Sequence, residues 1–184
     1  MATIYTHAAV GVGLGYVFAR HRLPPLFWLL AGFLPVIPDL DVFSNAPYGR
    51  ALGHRGFTHS LVFALAVAGV VAALTFRRFR VNFWDLLGFF FVITASHGIL
   101  DAFTNGGYGI PFFWPLADRR FGPWGPIQVA DIGFEFPDPW TSRSVRSELL
   151  YVWLPLVVLV GLVAAVRWRR DRRPPAAAGE NPAK

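Results

Sequence analysis

The sequence predicts an all-α membrane protein with about five transmembrane helices, of which the first two are short. Three observations lead to this fold class. Only 15% of the 184 residues are charged and 54% are hydrophobic, whereas soluble domains have about 25% charged residues. The apolar residues are collected into long runs. The basic residues lie beside these runs, as orientation signals do in membrane proteins.

Five apolar runs are the predicted membrane spans, at about 4–19, 23–37, 57–76, 83–100 and 149–166. A spanning helix needs about 17–25 residues, so the first two runs are short. They form either two short spans or a re-entrant hairpin that turns at residues 20–25, and we favour two short spans. The length of the chain allows one domain, which is expected to cover residues 1–168.

Two connections complete the predicted organisation. Residues 101–148 are rich in Gly and Pro, which argues against long helices before the last span. Aromatic residues in this segment, such as Trp114 and Trp124, fit either a flap at the membrane interface or an anchored connector. Residues 169–184 form a basic and then Pro/Ala-rich tail, which is predicted to be disordered.

The basic residues predict an orientation. If all five runs cross the membrane, eleven Arg and Lys residues lie on the side of the C-terminal tail and six lie on the other side. The positive-inside rule then places the tail in the cytoplasm and the N-terminus outside a plasma (inner) membrane. Because the net charge of +6 serves orientation, no nucleic-acid partner is expected. The absence of cysteine excludes thiolate metal ligands and a cysteine nucleophile.

Polar residues at the ends of the apolar runs form four clusters, all on the predicted outer side. Ionisable side chains at the membrane edge indicate a functional site. The clusters are His7; Asp39 and Asp41; His54, Arg55 and His59; and His97 and Asp101. The remaining histidine, His21, falls in the inner basic loop and is not expected to be a ligand.

The spacing within each cluster decides whether its members can converge. His97 and Asp101 are four residues apart and share a helix face. His54 and His59 would be about 140° apart in an ideal helix. They converge only if Gly53 and Gly56 form a loop before the helix.

Two local conformations are predicted as well. Thr58 is the expected N-cap of the third span. Asp39 and Asp41 would point the same way in an extended segment. The clusters also have simpler interpretations. Asp39 and Asp41 would form a helix cap or turn, His54 and His59 would be interface histidines, and His97 and Asp101 would share a hydrogen bond. Arg55 would contact a lipid headgroup.

The ordered set of motifs resembles the YdjM-like family of inner-membrane-bound metal-dependent hydrolases. The matching motifs are Thr6-His7, PDLD at 38–41, HRGFTHS at 54–60, SHGILD at 96–101 and WPLADRRF at 114–121. The resemblance covers about residues 1–122. It implies a multi-span membrane protein with a metal site on the matching His and Asp positions and a hydrolase activity.

The residues then take the following expected roles. His54, His59, His97 and Asp101 are the core metal ligands, and His7 and Asp39 complete a second site. Asp41 is the expected catalytic base, and Arg55 is the expected contact for an oxyanion or phosphate.

Nitrogen and oxygen ligands favour zinc, with manganese or ferrous iron as alternatives, and one or two ions. The predicted reaction is attack of metal-activated water on an ester or phosphoester. Membrane lipids and a lipid-like or phosphoester substrate at the outer face are the expected partners. The alternatives are a cation or proton transporter and a metal-stabilised membrane scaffold without catalysis.

Overall fold

The computed structural model describes residues 2–129 and 142–172, and every named element within them is helical. The helices are α1 (Ile4–Phe18), α2 (Pro25–Phe33), α3 (Leu61–Phe79), α4 (Phe83–Ala102), α5 (Arg143–Glu148) and α6 (Leu154–Asp171). The all-α prediction is therefore confirmed. Part of the expected loop, 130–141, and most of the expected disordered tail, 173–184, lie outside the described residues.

Four helical runs in the described part of the chain are long and apolar enough to cross a membrane. They are Pro25–Phe43, Leu61–Phe79, Phe83–Ala102 and Arg143–Asp171. Helix α1 is apolar but has only 15 residues, in keeping with the short first run that the sequence predicts.

The second run is longer than predicted because α2 continues directly into a 3₁₀ helix, Leu34–Phe43. The nine α-helical and ten 3₁₀ residues give a length of about 33 Å, since the rise is 1.5 Å and 2.0 Å per residue respectively. Two prolines, Pro35 and Pro38, lie in the 3₁₀ part. Because proline has no N–H group, it cannot complete an α-helical ladder, and this favours the tighter helix.

The third span begins later than expected. Phe57–His59 form a separate 3₁₀ turn, and α3 starts at Leu61. The Ser60 hydroxyl is the N-cap and accepts a hydrogen bond from Phe63 N at 3.1 Å. The prediction of Thr58 as the N-cap is wrong, because its hydroxyl donates to Asp41 instead.

The last helical run begins earlier than expected, at Arg143, so that the long connection ends before residue 148. Ser142 accepts a hydrogen bond from Val145 N at the start of α5. A π-helical segment, Leu149–Trp153, then joins α5 to α6 without a break.

The apolar core lies in the middle of the bundle and toward one of its ends. Phe27 of α2 and Leu86, Phe90 and Ile93 of α4 are fully buried there. The rings of Phe27 and Phe89 stack with their centroids 5.2 Å apart. The opposite end of the bundle holds polar side chains.

Helices α1 and α2 approach closely at Gly11. A Cβ atom there would collide with the Ala31 carbonyl oxygen and with Pro35 Cγ. By contrast, a Cβ atom at Gly69 of α3 would have no heavy atom within 4 Å. Helix packing therefore requires glycine at position 11 and does not require it at position 69.

We expect Gly11→Ala to lower the apparent melting temperature of the protein in detergent. Overpacking costs about 1–3 kcal/mol, although alanine is by itself the better helix former. The matched control, Gly69→Ala, should leave the melting temperature unchanged or raise it. A Gly11→Ala protein as stable as the wild type would contradict the close approach of α1 and α2.

Candidate metal centre

The polar clusters meet at one end of the helix bundle. The start of α1, the end of the 3₁₀ helix, the turn before α3 and the end of α4 all lie there. His7 Nε2 is 3.5 Å from Asp101 Oδ1, and His97 Nε2 is 3.2 Å from Asp39 Oδ1. His21 lines a pocket with Arg80 at the opposite end. The five helical runs thus bring the clusters together as the alternating topology predicts.

Asp39, His59, His97 and Asp101 form a compact group, which we call the tetrad. Their four donor atoms all lie within 4.8 Å of one another. His59 Nε2 is 3.1 Å from His97 Nε2, 3.7 Å from Asp39 Oδ1 and 3.9 Å from Asp101 Oδ2. The four side chains are at most 9% exposed, so the group is enclosed by protein.

The His97 imidazole is oriented by the prolines of the 3₁₀ helix. In such a helix the Pro35 carbonyl would accept from the N–H group three residues later, but that residue is Pro38 and has none. The free carbonyl lies 2.7 Å from His97 Nδ1. Because a carbonyl only accepts, Nδ1 carries a proton. In the neutral ring, which is the form that binds a metal, the lone pair of Nε2 then points into the tetrad.

The His59 imidazole has the same tautomer for a different reason. Its Nδ1 lies 3.3 Å from Asp41 Oδ2 and 3.1 Å from Thr58 Oγ1. The Thr58 hydroxyl proton is used in the hydrogen bond to Asp41, so His59 Nδ1–H is the donor and its Nε2 is left with a lone pair. Burial lowers the pKa of His59, which favours the neutral ring that metals bind.

These donor atoms fit a divalent metal ion. Asp39 Oδ1 and Oδ2 and Asp101 Oδ2 are buried without a hydrogen-bond partner among the described residues. Two facing lone pairs and unpartnered carboxylate oxygens are costly to bury unless a cation offsets them. Zinc bonds of 2.0–2.1 Å give a tetrahedron with edges of roughly 3.3 Å. The His–His and His–Asp donor distances of the tetrad are 3.1–4.0 Å, and all four donor atoms lie within 4.8 Å of one another.

Asp41 lies outside the tetrad, on the far side of His59. The expectation that Asp39 and Asp41 point the same way is wrong, because a 3₁₀ helix has 3.0 residues per turn and residues two apart face different directions. Asp41 accepts from Thr58 Oγ1 at 2.5 Å and contacts His54 Nδ1 at 2.8 Å. From this position Asp41 orients the imidazoles of His54 and His59. It is separated from the tetrad by His59, so the position does not favour its expected role as the base for a water bound there.

His54 belongs with Asp41 and His59 in a second group of possible ligands. We expected His54 among the core ligands and Asp39 in a second site; by distance, the structure instead groups Asp39 with His59, His97 and Asp101. His54 lies on the loop before α3, where its Nδ1 pairs with Asp41 and is 3.8 Å from Asp39 Oδ1. Its ring is nearly perpendicular to that of His59, with centroids 5.3 Å apart, so the loop before α3 brings the two histidines into contact.

His7 lies beside the tetrad rather than in it. Its ring stacks on that of His97 with centroids 3.9 Å apart. Neither ring nitrogen has a hydrogen-bond partner among the described residues, and the side chain is fully buried. Asp101 Oδ1, the oxygen nearest to His7, instead accepts from Ala2 N at 3.0 Å.

Arg55 is enclosed and does not present its guanidinium to an external substrate. The side chain is 1% exposed. Nη1 donates to Gly106 O at 2.9 Å and Nη2 donates to Thr104 Oγ1 at 3.2 Å. Nε lies 3.5 Å from Asp101 Oδ2, where its charge offsets an anion at the unfavourable C-terminal end of a helix. The expected contact to an oxyanion or phosphate is not visible in this arrangement.

The segment after α4 covers the site. Leu61 N donates to Phe112 O at 2.9 Å, and Ile110 is fully buried. Arg120 donates to the carbonyls of Arg55 and Gly109. This segment therefore closes the polar end of the bundle and keeps Arg55 in place.

Glu148 is the buried charged residue that the sequence did not single out. Its carboxylate accepts from Thr3 N at 2.6 Å, Thr3 Oγ1 at 2.5 Å and Thr6 Oγ1 at 2.6 Å. Trp153 Nε1 also donates to Thr6 Oγ1. Glu148 thus caps α1 from a distant part of the chain, and no local sequence pattern predicts such a contact.

We expect His97→Ala to remove most of the metal from the purified protein, since it deletes a tetrad donor. Asp41→Asn should weaken metal affinity by about 10–100-fold without abolishing binding, which is the usual effect of altering a group that orients a ligand. Elemental analysis and competition with a chelator measure both effects.

The matched control is His21→Ala, at the other end of the bundle, which should retain the wild-type metal content. Equal metal contents of the wild type and the His97→Ala variant would exclude the tetrad as a metal site.

Comparison with known proteins agrees with the membrane fold. The YdjM inner membrane protein family matches residues 1–172. The inner membrane protein YbcI of Escherichia coli (strain K12) is 38% identical over 175 residues, which cover 92% of this chain and 99% of that protein. No solved structure matches the chain. A match of this extent shows that the chain belongs to the YdjM inner membrane protein family.

Proposed function

We propose that this protein is a membrane-bound metal-dependent hydrolase of esters or phosphoesters. The observation that carries the proposal is the tetrad, in which two oriented imidazoles and two carboxylates place four donor atoms within 4.8 Å of one another, with the carboxylate oxygens of this set lacking hydrogen-bond partners among the described residues. The residue types are those of hydrolytic metal centres, in which nitrogen and oxygen ligands hold zinc, manganese or iron. Zinc suits this site if His59, His97 and Asp101 hold the ion and the fourth position, beside Asp39, is left for water, since hydrolytic zinc sites have three protein ligands and one water.

One ion accounts for the cluster. Both carboxylate oxygens of Asp41 already have partners in Thr58 and His54, so the second group of possible ligands is satisfied without a metal. Asp41 and His54 then serve to orient His59.

A bound divalent metal would lower the pKa of a coordinated water and polarise a substrate oxygen. The chain supplies the proton acceptor. Asp39 Oδ2, within the tetrad, is buried and has no hydrogen-bond partner among the described residues, so it can take the proton that the attacking water loses. Asp39 then gives this proton to the oxygen of the leaving alcohol as the ester bond breaks. We therefore transfer the role of base from Asp41 to Asp39.

The position of the cluster favours hydrolysis over transport. A transporter needs polar groups along a path through the bundle, whereas the tetrad lies at one end and the middle is filled by Phe27, Phe90 and Ile93. Two buried threonines in the spans, Thr75 and Thr94, donate to carbonyls of their own helices. The alternative is a scaffold that binds metal without catalysis, and the assay below distinguishes it from a hydrolase.

We expect the metal-loaded protein to hydrolyse a member of a panel of carboxylic esters, phosphomonoesters, phosphodiesters and phospholipids. Asp39→Asn keeps an oxygen that can bind the metal but loses the proton acceptor, so kcat should fall by about 10²–10⁴ at saturating metal. His21→Ala is the control with wild-type activity.

Metal content is measured in the same samples, so that loss of the ion is separated from loss of the base. Failure of the metal-loaded wild type to hydrolyse any class in the panel would leave the metal-binding scaffold as the better description.

The proposed orientation places the tetrad at the outer face and the C-terminus in the cytoplasm, on the basis of the eleven-to-six distribution of basic residues. Reporter fusions after Arg80 and Asp171 should give a cytoplasmic signal, and a fusion after Asn105 should give an external one. A cytoplasmic signal at Asn105 would reverse the orientation and place the site inside.

A further inference from the structure

At the end of the bundle opposite the tetrad, a pocket of about 550 Å³ opens between the turn after α1 and the start of α4. We call it the basic-end slot. Its rim carries Arg20, His21 and Arg80, and its walls include Phe18 and Phe89. A charged rim on apolar walls is the pattern of a site for an amphiphilic molecule.

The charge of the rim is not neutralised by partners among the described residues. Arg20 and Arg80 make no side-chain hydrogen bond or ion pair with any described residue, and Asp85 is the one acid that lines the slot. Arg167 shows the contrast at the same end of the molecule, because it donates to the carbonyls of Tyr16 and Val17 at 2.9 Å. The two rim arginines are therefore free to bind an external anion.

The walls continue from the rim along the spanning helices. Gly88 of α4 lines the slot, and a Cβ atom there would have no heavy atom within 4 Å. Trp84, one turn earlier, is 71% exposed, as is usual for tryptophan at a membrane interface. The slot thus extends from the interface into the region that hydrocarbon surrounds.

We propose that the basic-end slot binds an anionic glycerophospholipid from the surrounding bilayer. The phosphate lies between Arg20 and Arg80, and an acyl chain lies along the open surface at Gly88. Charge complementarity specifies the anionic headgroup, and the apolar walls specify a lipid rather than a soluble phosphate. This inference is independent of hydrolysis at the tetrad.

Native mass spectrometry of the purified full chain, titrated with phosphatidylglycerol or phosphatidylcholine, tests the proposal. We expect one phosphatidylglycerol to be retained in preference to phosphatidylcholine. Each basic residue near an anionic membrane surface contributes roughly a factor of five in affinity. The double variant Arg20→Gln/Arg80→Gln should therefore weaken phosphatidylglycerol binding about 30-fold. Gly88→Leu should also weaken it, because the new side chain fills the slot.

Matched controls separate the slot from general attraction to lipid. Arg77→Gln/Arg78→Gln removes the same charge from the same end of the molecule but outside the slot, and Gly69→Leu adds the same bulk to another open helix surface. Both should bind as the wild type does. The melting temperature of each variant in detergent reports whether the bundle is intact.

Three results would overturn the proposal. They are an equal loss of binding in the control variants, equal retention of the two lipids, and displacement of phosphatidylglycerol by inorganic phosphate at equal concentration. The last result would identify the rim as a site for soluble phosphate.

Discussion

The constraint on which the rest of the structure depends is the burial of two carboxylates, Asp39 and Asp101, at one end of an apolar bundle. Unpaired charge in such a place is strongly destabilising, so the surrounding elements must supply compensation. Arg55 offers one positive charge from a loop position. The imidazoles of His59 and His97 face the remaining oxygens, and a metal ion, which these four side chains could hold, would offset the rest of the negative charge. The prolines of the 3₁₀ helix also contribute, because they leave unpaired within the helix the carbonyl that orients His97.

The first and last helices act together in positioning this cluster. Glu148 accepts hydrogen bonds at the start of α1, and Arg167 donates to the last carbonyls of the same helix. Both charges match the helix dipole, negative at the N-terminus and positive at the C-terminus. Since α6 buries none of its own residues, these polar contacts hold it parallel to α1. They also fix the start of α1, from which Ala2 N and the His7 ring reach the Asp101 and His97 side chains.

The two ends of the bundle have different chemistry, and the aromatic core separates them. At one end the polar side chains are enclosed and paired with one another, which suits a metal centre that needs fixed geometry. At the other end the arginines of the rim are exposed and unpaired among the described residues, which suits contact with a charged membrane surface. The packed phenylalanines lie between the two ends and keep their polar side chains apart.

The sequence by itself determined the membrane class, the approximate spans and the identity of the residues that meet. It also determined pairings within one helix, such as His97 with Asp101, because helical spacing is a local property. It did not determine which residues form the tetrad. That depends on the 3₁₀ conformation that turns Asp39 and Asp41 apart, and on the loop that pairs His54 with Asp41. Only the tertiary structure brought Glu148 to the start of α1, since a contact across 145 residues is set by helix packing and leaves no local pattern.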